Sequence, residues 1–383
     1  MNNLDWAKAG LKRNPFSVVP DRESEDLIWA GFQQNKEKFD GIIKRSLNSQ
    51  ESKVILNISR YGGGKTHASF FYAKVDNLPI DNEPEPLQVI VVAPKRGDQA
   101  PLEFYLKIIE GLSITYISSA VKQLKIDRDV AGLRDLQNWT KSEDLGRILW
   151  LLADDNEDIS FGAEQLLLQG SATSSLKNKL RLRRGMAGMS DISQMLSAII
   201  KLLSQYSDIE KLPALRRIFI WIDELESLIF YTSNQYRPFT QTLRELIDNT
   251  PNYLSMVMNF SFAEPTDVQN LEIVIGEALV DRVTDTFIFE EANLEDAKQY
   301  VKDLFAKYRL ENYNNGEYFP FTESVLVAIL TKAPIASERP LLPRTINKWC
   351  AYIINKANEI GTLEAGINME LIEDTTFTED ELN

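Results

Sequence analysis

The run "NISRYGGGKTH", residues 57–67, ends in Gly64, Lys65 and Thr66 behind two further glycines, Gly62 and Gly63. Such a run can wrap anionic oxygens with backbone N–H groups, because glycine leaves no Cβ in the way. Lys65 would place its ammonium between the β- and γ-phosphates of a nucleotide, and the Thr66 hydroxyl would ligate Mg2+. The pattern for this chemistry is G-x-x-x-x-G-K-[ST], and Ser59 stands where the first glycine belongs. That glycine supplies a turn rather than a contact to the reacting phosphate, so Ser59 reads as a variation bearing on affinity. The bland alternative is a glycine-rich turn that ends in Lys-Thr. His67 is a first-turn residue of the helix behind the loop and is counted with the nucleotide-binding residues.

A second run, "IFIWIDELE", brings carboxylates to the end of an apolar stretch. Ile218 to Ile222 lead into Asp223 and Glu224. Asp223 would hold Mg2+ through Thr66 or water, and Glu224 would polarise the attacking water. A strand that ends in solvated acids is the alternative. Glu226 falls on the turn that follows.

Composition removes other chemistry. One cysteine and one histidine exclude an intrachain disulfide and a zinc cluster of Cys and His ligands. A Ser-His-Asp triad would have to use His67, and nothing around it resembles a nucleophile elbow. Cys350, in "INKWCAYII", reads as a small core residue. With 383 residues, 44% hydrophobic and 26% charged, the chain is long enough for two or three globular domains. No apolar run is long enough to span a membrane, and "MNNLDWAKAGLKRNPF" lacks the apolar core of a signal peptide. No membrane association and a cytoplasmic location are therefore expected. The net charge of −14 argues against a surface that coats nucleic acid, though not against a local basic patch. The end, "MELIEDTTFTEDELN", reads as a solvated tail or a docking peptide.

The elements that would position these residues follow from periodicity. "KVILNIS", 53–59, reads as a buried strand and "HASFFYAKV" as the helix after it, the context a phosphate loop needs. Further strands are read in "LQVIVVAP", in "RRIFIWIDELESLIF", a strand ending in acids, in "NYLSMVMNFSFAEP" and in "DTFIFEEA". "PLEFYLKIIEGLSITYISSAVKQL" reads as helix, and helical patterns fill the stretch to about 210. Phe32, Phe39, Ile42, Ile43 and Leu47 recur at helical spacing near the start. Asn293 is a fitting N-cap for an amphipathic helix, with Asp296 three residues on. Strands alternating with helices, then helices alone, imply a parallel α/β sheet followed by a helical domain.

"GGGKT" together with "IFIWIDE" resembles the AAA+ class of P-loop ATPases. The resemblance implies a parallel-sheet core and a C-terminal α-helical lid, with ATP and Mg2+ as cofactors. It also implies further site residues. A polar residue near the end of "LSMVMNFSF" would sense the γ-phosphate, and Asn259 and Ser261 both qualify. "GEALVDRVTDTFIF" resembles the segment carrying an arginine finger, with Arg282 acting on a neighbour's ATP or else paired within its own subunit. "LLPRTINKW" resembles the lid motif in which Arg344 contacts the γ-phosphate, and Pro343 suits a helix start. "NPF" near the start and the stretch from "GAEQLLLQGSATSSLKNKLRLRRGMAG" to "IFIWIDELESL" resemble origin-recognition-type proteins of prokaryotes, in particular ATP-binding proteins of phage-exclusion and other defence loci. The resemblance runs over about 14–350. The stretch between the two ATPase motifs is longer than in a minimal core of this class.

The domain layout read from this is a lead-in and helix at 1–50, a nucleotide-binding core at 51–290 with a helical insertion at about 100–212, a lid at 291–368 and an acidic tail at 369–383. "LKNKLRLRRG" is the densest basic stretch, with Lys177, Lys179, Arg181, Arg183 and Arg184 around three leucines. Read as an extended segment, it would put several charges on one side to meet phosphates or a partner, or form a solvated or subunit-facing strip. No aromatic residues interleave, so base stacking is not indicated. Lys95 and Arg96 form a weaker basic loop. The C-terminus shows no convincing helix-turn-helix, which counts against sequence-specific DNA binding. The expected function is an ATPase switch or remodeller in a DNA-associated complex, in genome defence or mobile-element control. It would be homo-oligomeric and joined by other subunits, such as an effector nuclease. The alternatives are a nucleotide-gated adaptor with little hydrolysis and a transposition- or replication-type regulator that assembles on DNA.

Overall fold

The computed structural model describes residues 6–18, 27–79, 85–94, 97, 99–169, 173–186, 188–206, 216–263, 268–311, 313, 315–337 and 340–376. Lys95, Arg96 and the tail from 377 lie outside the described residues.

In chain order the elements are α1 (Gln33–Leu47), β1 (Lys53–Arg60), α2 (Lys65–Tyr72), β2 (Leu87–Val92), α3 (Ala100–Leu112), α4 (Ile114–Arg128), α5 (Val130–Thr140), α6 (Glu143–Leu151), α7 (Glu157–Gln169), α8 (Ser174–Lys179) and α9 (Gly188–Gln205). There follow β3 (Ile218–Asp223), α10 (Ser233–Asn249), β4 (Leu254–Phe262), α11 (Val268–Ile275), α12 (Glu277–Val280), β5 (Asp285–Ile288), α13 (Leu294–Tyr308), α14 (Glu323–Ser337), α15 (Pro343–Glu359) and α16 (Met369–Glu373).

The strands form one sheet in the order β2-β3-β4-β1-β5. β2 and β4 both pair in parallel with β3. All six residues of β3 and all nine of β4 are buried, so these strands are covered on both faces. The register sets Val92 against Asp223 and Ile222 against Met258. Asp223 therefore closes β3 level with the next residue of β4, Asn259.

The chain divides into two compact units. One comprises Met1–Asp40, Ser59–Phe71 and Ile288–Asn383. Its core gathers Phe16, Phe305, Trp349, Cys350 and Ile353 with residues of α13, α14 and α15. Asn293 accepts from the Asp296 amide at 2.9 Å and closes a capping box, which starts α13 where the sequence predicts. Pro343 occupies the first turn of α15, where its missing N–H costs nothing. The other unit comprises Gly41–Ile58 and Tyr72–Phe287, and its core joins the sheet to the helices between β2 and β3.

Two local expectations fail. "PLEFYLKIIEGLSITYISSAVKQL" is two helices, because Ser113 takes a positive φ of 65° and ends α3 before α4 begins. The basic stretch is not extended. Thr173 caps α8 by accepting from the Leu176 amide at 3.2 Å, and Leu176 and Leu180, four apart, share the inward face of its turns. Leu180 and Leu182 are buried, so the leucines set the conformation and the charges are left outside.

Candidate functional site

In the first unit, β1 runs out through Ser59 and Arg60 into the glycines, and Lys65 is the first residue of α2. Gly62 has φ +85° and Gly64 φ +102°, values that side chains rarely adopt. A Cβ on Gly62 would come 2.7 Å from the Cβ of Arg344, whose amide donates to the Gly62 carbonyl at 3.3 Å. The start of α15 thus rests directly on the glycine loop, and the Arg344 side chain is exposed there. Thr66 is half-buried.

Lys65 is buried, and its Nζ donates to Ser59 Oγ at 2.5 Å, to the Ser59 carbonyl at 3.3 Å and to the Arg60 carbonyl at 3.4 Å. Ser59 is buried too, and its hydroxyl donates to the Arg60 carbonyl at 2.8 Å. Arg60 pairs with Glu291 at 3.3 Å. His67 turns away from the glycines. Its Nε2 lies 2.9 Å from the Ile28 carbonyl, which can only accept, so Nε2 carries the proton. Burial holds its pKa below the usual imidazole value, partly offset by that hydrogen bond.

In the second unit, Asp223 is buried at the end of β3 and accepts at Oδ1 from Asn259 Nδ2 at 3.0 Å. An ionised carboxylate only accepts, so the amide of Asn259 must turn its NH2 towards Asp223 and its oxygen the other way. That oxygen accepts from Asn57 Nδ2 at 2.9 Å. Asn57 and Asn259 are fully buried, and the Asn57 Oδ1 has no hydrogen-bond partner. Asn57 does not emerge from motif reading. Its signal in the sequence is one amide in the middle of the apolar run "VILNIS", since buried strands rarely carry one without a partner.

Glu224 is exposed and holds φ 60° and ψ 32°, a left-handed conformation unusual for a residue with a side chain. Ser261 is buried, and its amide donates to Glu226 Oε2 at 3.1 Å. Glu226 thus lies on the short helical turn Leu225–Phe230 and holds the end of β4. Arg282 grips Asp248 with two hydrogen bonds, Nε to Oδ1 at 2.6 Å and Nη2 to Oδ2 at 2.9 Å, and also donates to the Ala278 carbonyl. The hydrogen bond to Asp248 raises its pKa further.

The basic stretch is largely paired with acids. Lys179 meets Asp158 at 3.8 Å and Arg183 meets Glu143 at 3.7 Å. Arg184 holds Asp191 with both Nη atoms, and the amides of Arg183 and Arg184 donate to Asp144. Among the described residues Lys177 and Arg181 form no such ion pair.

No protein-family model matches this chain, and no curated protein matches it. Solved structures do. The Aeropyrum pernix ORC2 protein in its ADPNP–ADP complexes superposes with a TM-score of 0.50 at 10% identity, over 97% of this chain and 72% of that one. The ADP form of the same protein gives 0.49 at 11% identity, over 94% and 71%. The Aeropyrum pernix ORC1 protein in complex with DNA gives 0.47 at 11% identity, over 94% and 68%. The chain has an AAA+ P-loop fold like that of the ORC2 protein, with a parallel sheet, helices inserted between β2 and β3 and a helical C-terminal part.

Proposed function

We infer that the chain binds and hydrolyses ATP as an AAA+ ATPase that switches or remodels a DNA-associated complex. The observation that carries this reading is the loop at the end of β1. Two glycines in positive-φ conformations lead into a buried lysine at the head of α2. Backbone amides and the positive end of a helix dipole favour an anion at such a place. Gly62, Gly63, Gly64 and Lys65 hold the phosphates, and Arg344, seated on the loop, reaches the terminal one. Ser59 shapes the loop, and His67 anchors the helix behind it.

Thr66 and Asp223 are the residues that would hold Mg2+. Among the described residues no group of three or more His, Cys, Asp or Glu could hold an ion by itself. Mg2+ suits so sparse a set, because it takes one or two carboxylates and completes its shell with phosphate and water. Bound Mg2+ and ATP supply the phosphoryl group and neutralise its charge. Glu224, exposed after β3, orients water and takes its proton. Asn259 fixes the Asp223 carboxylate, and Ser261 is the second polar residue at the end of β4. Arg282 serves the nucleotide of a neighbouring copy, which makes the working form a homo-oligomer. Glu224→Gln tests the reading. It should bind ATP like the wild type and release phosphate about a hundredfold more slowly or worse. Unchanged hydrolysis would remove Glu224 from this role.

One observation favours a second reading, a nucleotide-gated adaptor with little hydrolysis. Arg282 is gripped by Asp248 of its own chain. ATPase rates with and without DNA separate the two readings. Prokaryotic anti-phage defence, with an effector such as a nuclease as partner, is supported by the sequence resemblance alone. Co-purification of the tagged native protein, with and without ATP, tests it.

A further inference from the structure

Ser59 is where the loop departs from the usual phosphate-binding pattern, and its hydroxyl is engaged on two sides. Its one proton goes to the Arg60 carbonyl at 2.8 Å, and its lone pair takes the Lys65 ammonium at 2.5 Å. A glycine at this position would remove the 2.5 Å contact and keep the two longer ones, to the carbonyls of Ser59 and Arg60 at 3.3 and 3.4 Å. The same hydroxyl also fills the space beside Gly63. A Cβ on Gly63 would come 2.5 Å from Ser59 Oγ, 2.8 Å from Ser59 Cβ and 3.1 Å from the Arg60 carbonyl. Gly63, unlike Gly62 and Gly64, does not have a positive φ. Its missing side chain therefore answers a shortage of space, and Ser59 takes that space.

We propose that Ser59 sets the phosphate affinity of this loop by holding the Lys65 ammonium through its hydroxyl, and that Gly63 is glycine to make room for it. The proposal rests on the reading of the loop as a phosphate site. A phosphate oxygen approaching Lys65 competes with the serine oxygen for the same ammonium. Ser59 is then an internal counter-ligand that weakens nucleotide binding. One hydrogen bond from a charged donor corresponds to roughly tenfold in affinity.

The test is calorimetric titration of the full chain with MgATP, comparing wild type, Ser59→Ala, Ser59→Gly and Lys65→Ala. Ser59→Ala removes the hydroxyl and keeps the Cβ, and it should bind about tenfold tighter than wild type. If Ser59→Ala binds no tighter while Lys65→Ala abolishes binding, the proposal is overturned and the phosphate-site reading stands. If wild type and Ser59→Ala both fail to bind MgATP, the reading falls and takes the proposal with it. A second measurement needs no nucleotide. Gly63→Ala should lower the melting temperature by several degrees in the wild-type background and by clearly less in Ser59→Gly. An equal drop in both backgrounds overturns the pairing of Ser59 with Gly63.

Discussion

Asn259 donates to Asp223 across 3.0 Å with both side chains buried, so the carboxylate at the end of β3 is oriented by β4. Asn57 in turn donates to Asn259, and the three side chains form a directed chain whose polarity is fixed by the acceptor-only carboxylate. Asn259→Ala should cost about 1–3 kcal/mol of stability, because it leaves a buried charge short of a donor. It should also weaken the Mg2+ dependence of turnover more than it weakens ATP binding measured without metal. Asn57→Asp would face the Asn259 oxygen with another acceptor and should destabilise the fold by a similar amount. Chemical denaturation of both variants checks this, and an unchanged midpoint for Asn57→Asp would show that the chain of amides carries no orientation.

Glu224 offers a separation of stability from activity. A non-glycine residue in a left-handed conformation costs about 1 kcal/mol. Glu224→Gly should therefore raise the melting temperature by a few degrees while abolishing hydrolysis. Glu224→Ala should lose hydrolysis with no such gain. Thermal melts and phosphate release on the same samples give the comparison.

Arg282 has to leave Asp248 to act on a neighbour. If it does, Lys65→Ala and Arg282→Ala are each inactive alone, and their mixture recovers part of the activity. Asp248→Asn loosens the grip and should raise turnover a few-fold at protein concentrations that favour assembly. A mixture that stays inactive, with Asp248→Asn also unchanged, would favour the adaptor reading.

His67 is the sole histidine, so its linkage to folding can be read without interference from another imidazole. Burial lowers its folded pKa below the unfolded value near 6.5. The unfolded chain then binds a proton before the folded one does, and stability falls as pH drops below about 6.5. The loss continues until the pH passes the lower folded pKa. His67→Gln should flatten this part of the curve, measured as urea midpoints between pH 5 and 7.

The basic stretch should contribute little to DNA binding. Three of its five cations are held by acids, which leaves Lys177 and Arg181. Replacing the paired Lys179, Arg183 and Arg184 with glutamine should leave the slope of log K against log salt nearly unchanged. A change of about 2 to 3 would mean that the ion pairs open on DNA.

The sheet was legible because β1, β3 and β4 are largely buried on both faces and are mostly apolar in sequence. The turn after β1 and the acid at the end of β3 were legible as local structure, because consecutive glycines favour a turn and a carboxylate tends to close an apolar strand. Asn57 was hidden inside an apolar run, since its meaning depends on which strand lies beside β1, and β4 is far away in the chain. The grip of Asp248 on Arg282 was hidden for the same reason. The conformation of "LKNKLRLRRG" was misread because charges catch the eye, whereas the four-residue spacing of Leu176 and Leu180 sets the helix.

The strand order has a consequence for how the chain is made. β1 and β2 are the first strands to leave the ribosome, yet they are not neighbours in the sheet. β2 waits for β3, and β1 waits for β4 and β5. The stretch 93–217, with helices α3 to α9, must therefore be synthesised before any two adjacent strands coexist. At ordinary elongation rates that is a delay on the order of ten seconds, in which the helices can settle through local contacts while two apolar strands stand unpaired. For a nascent chain of this protein, that interval is the window in which a chaperone or an aggregate competes for β1 and β2.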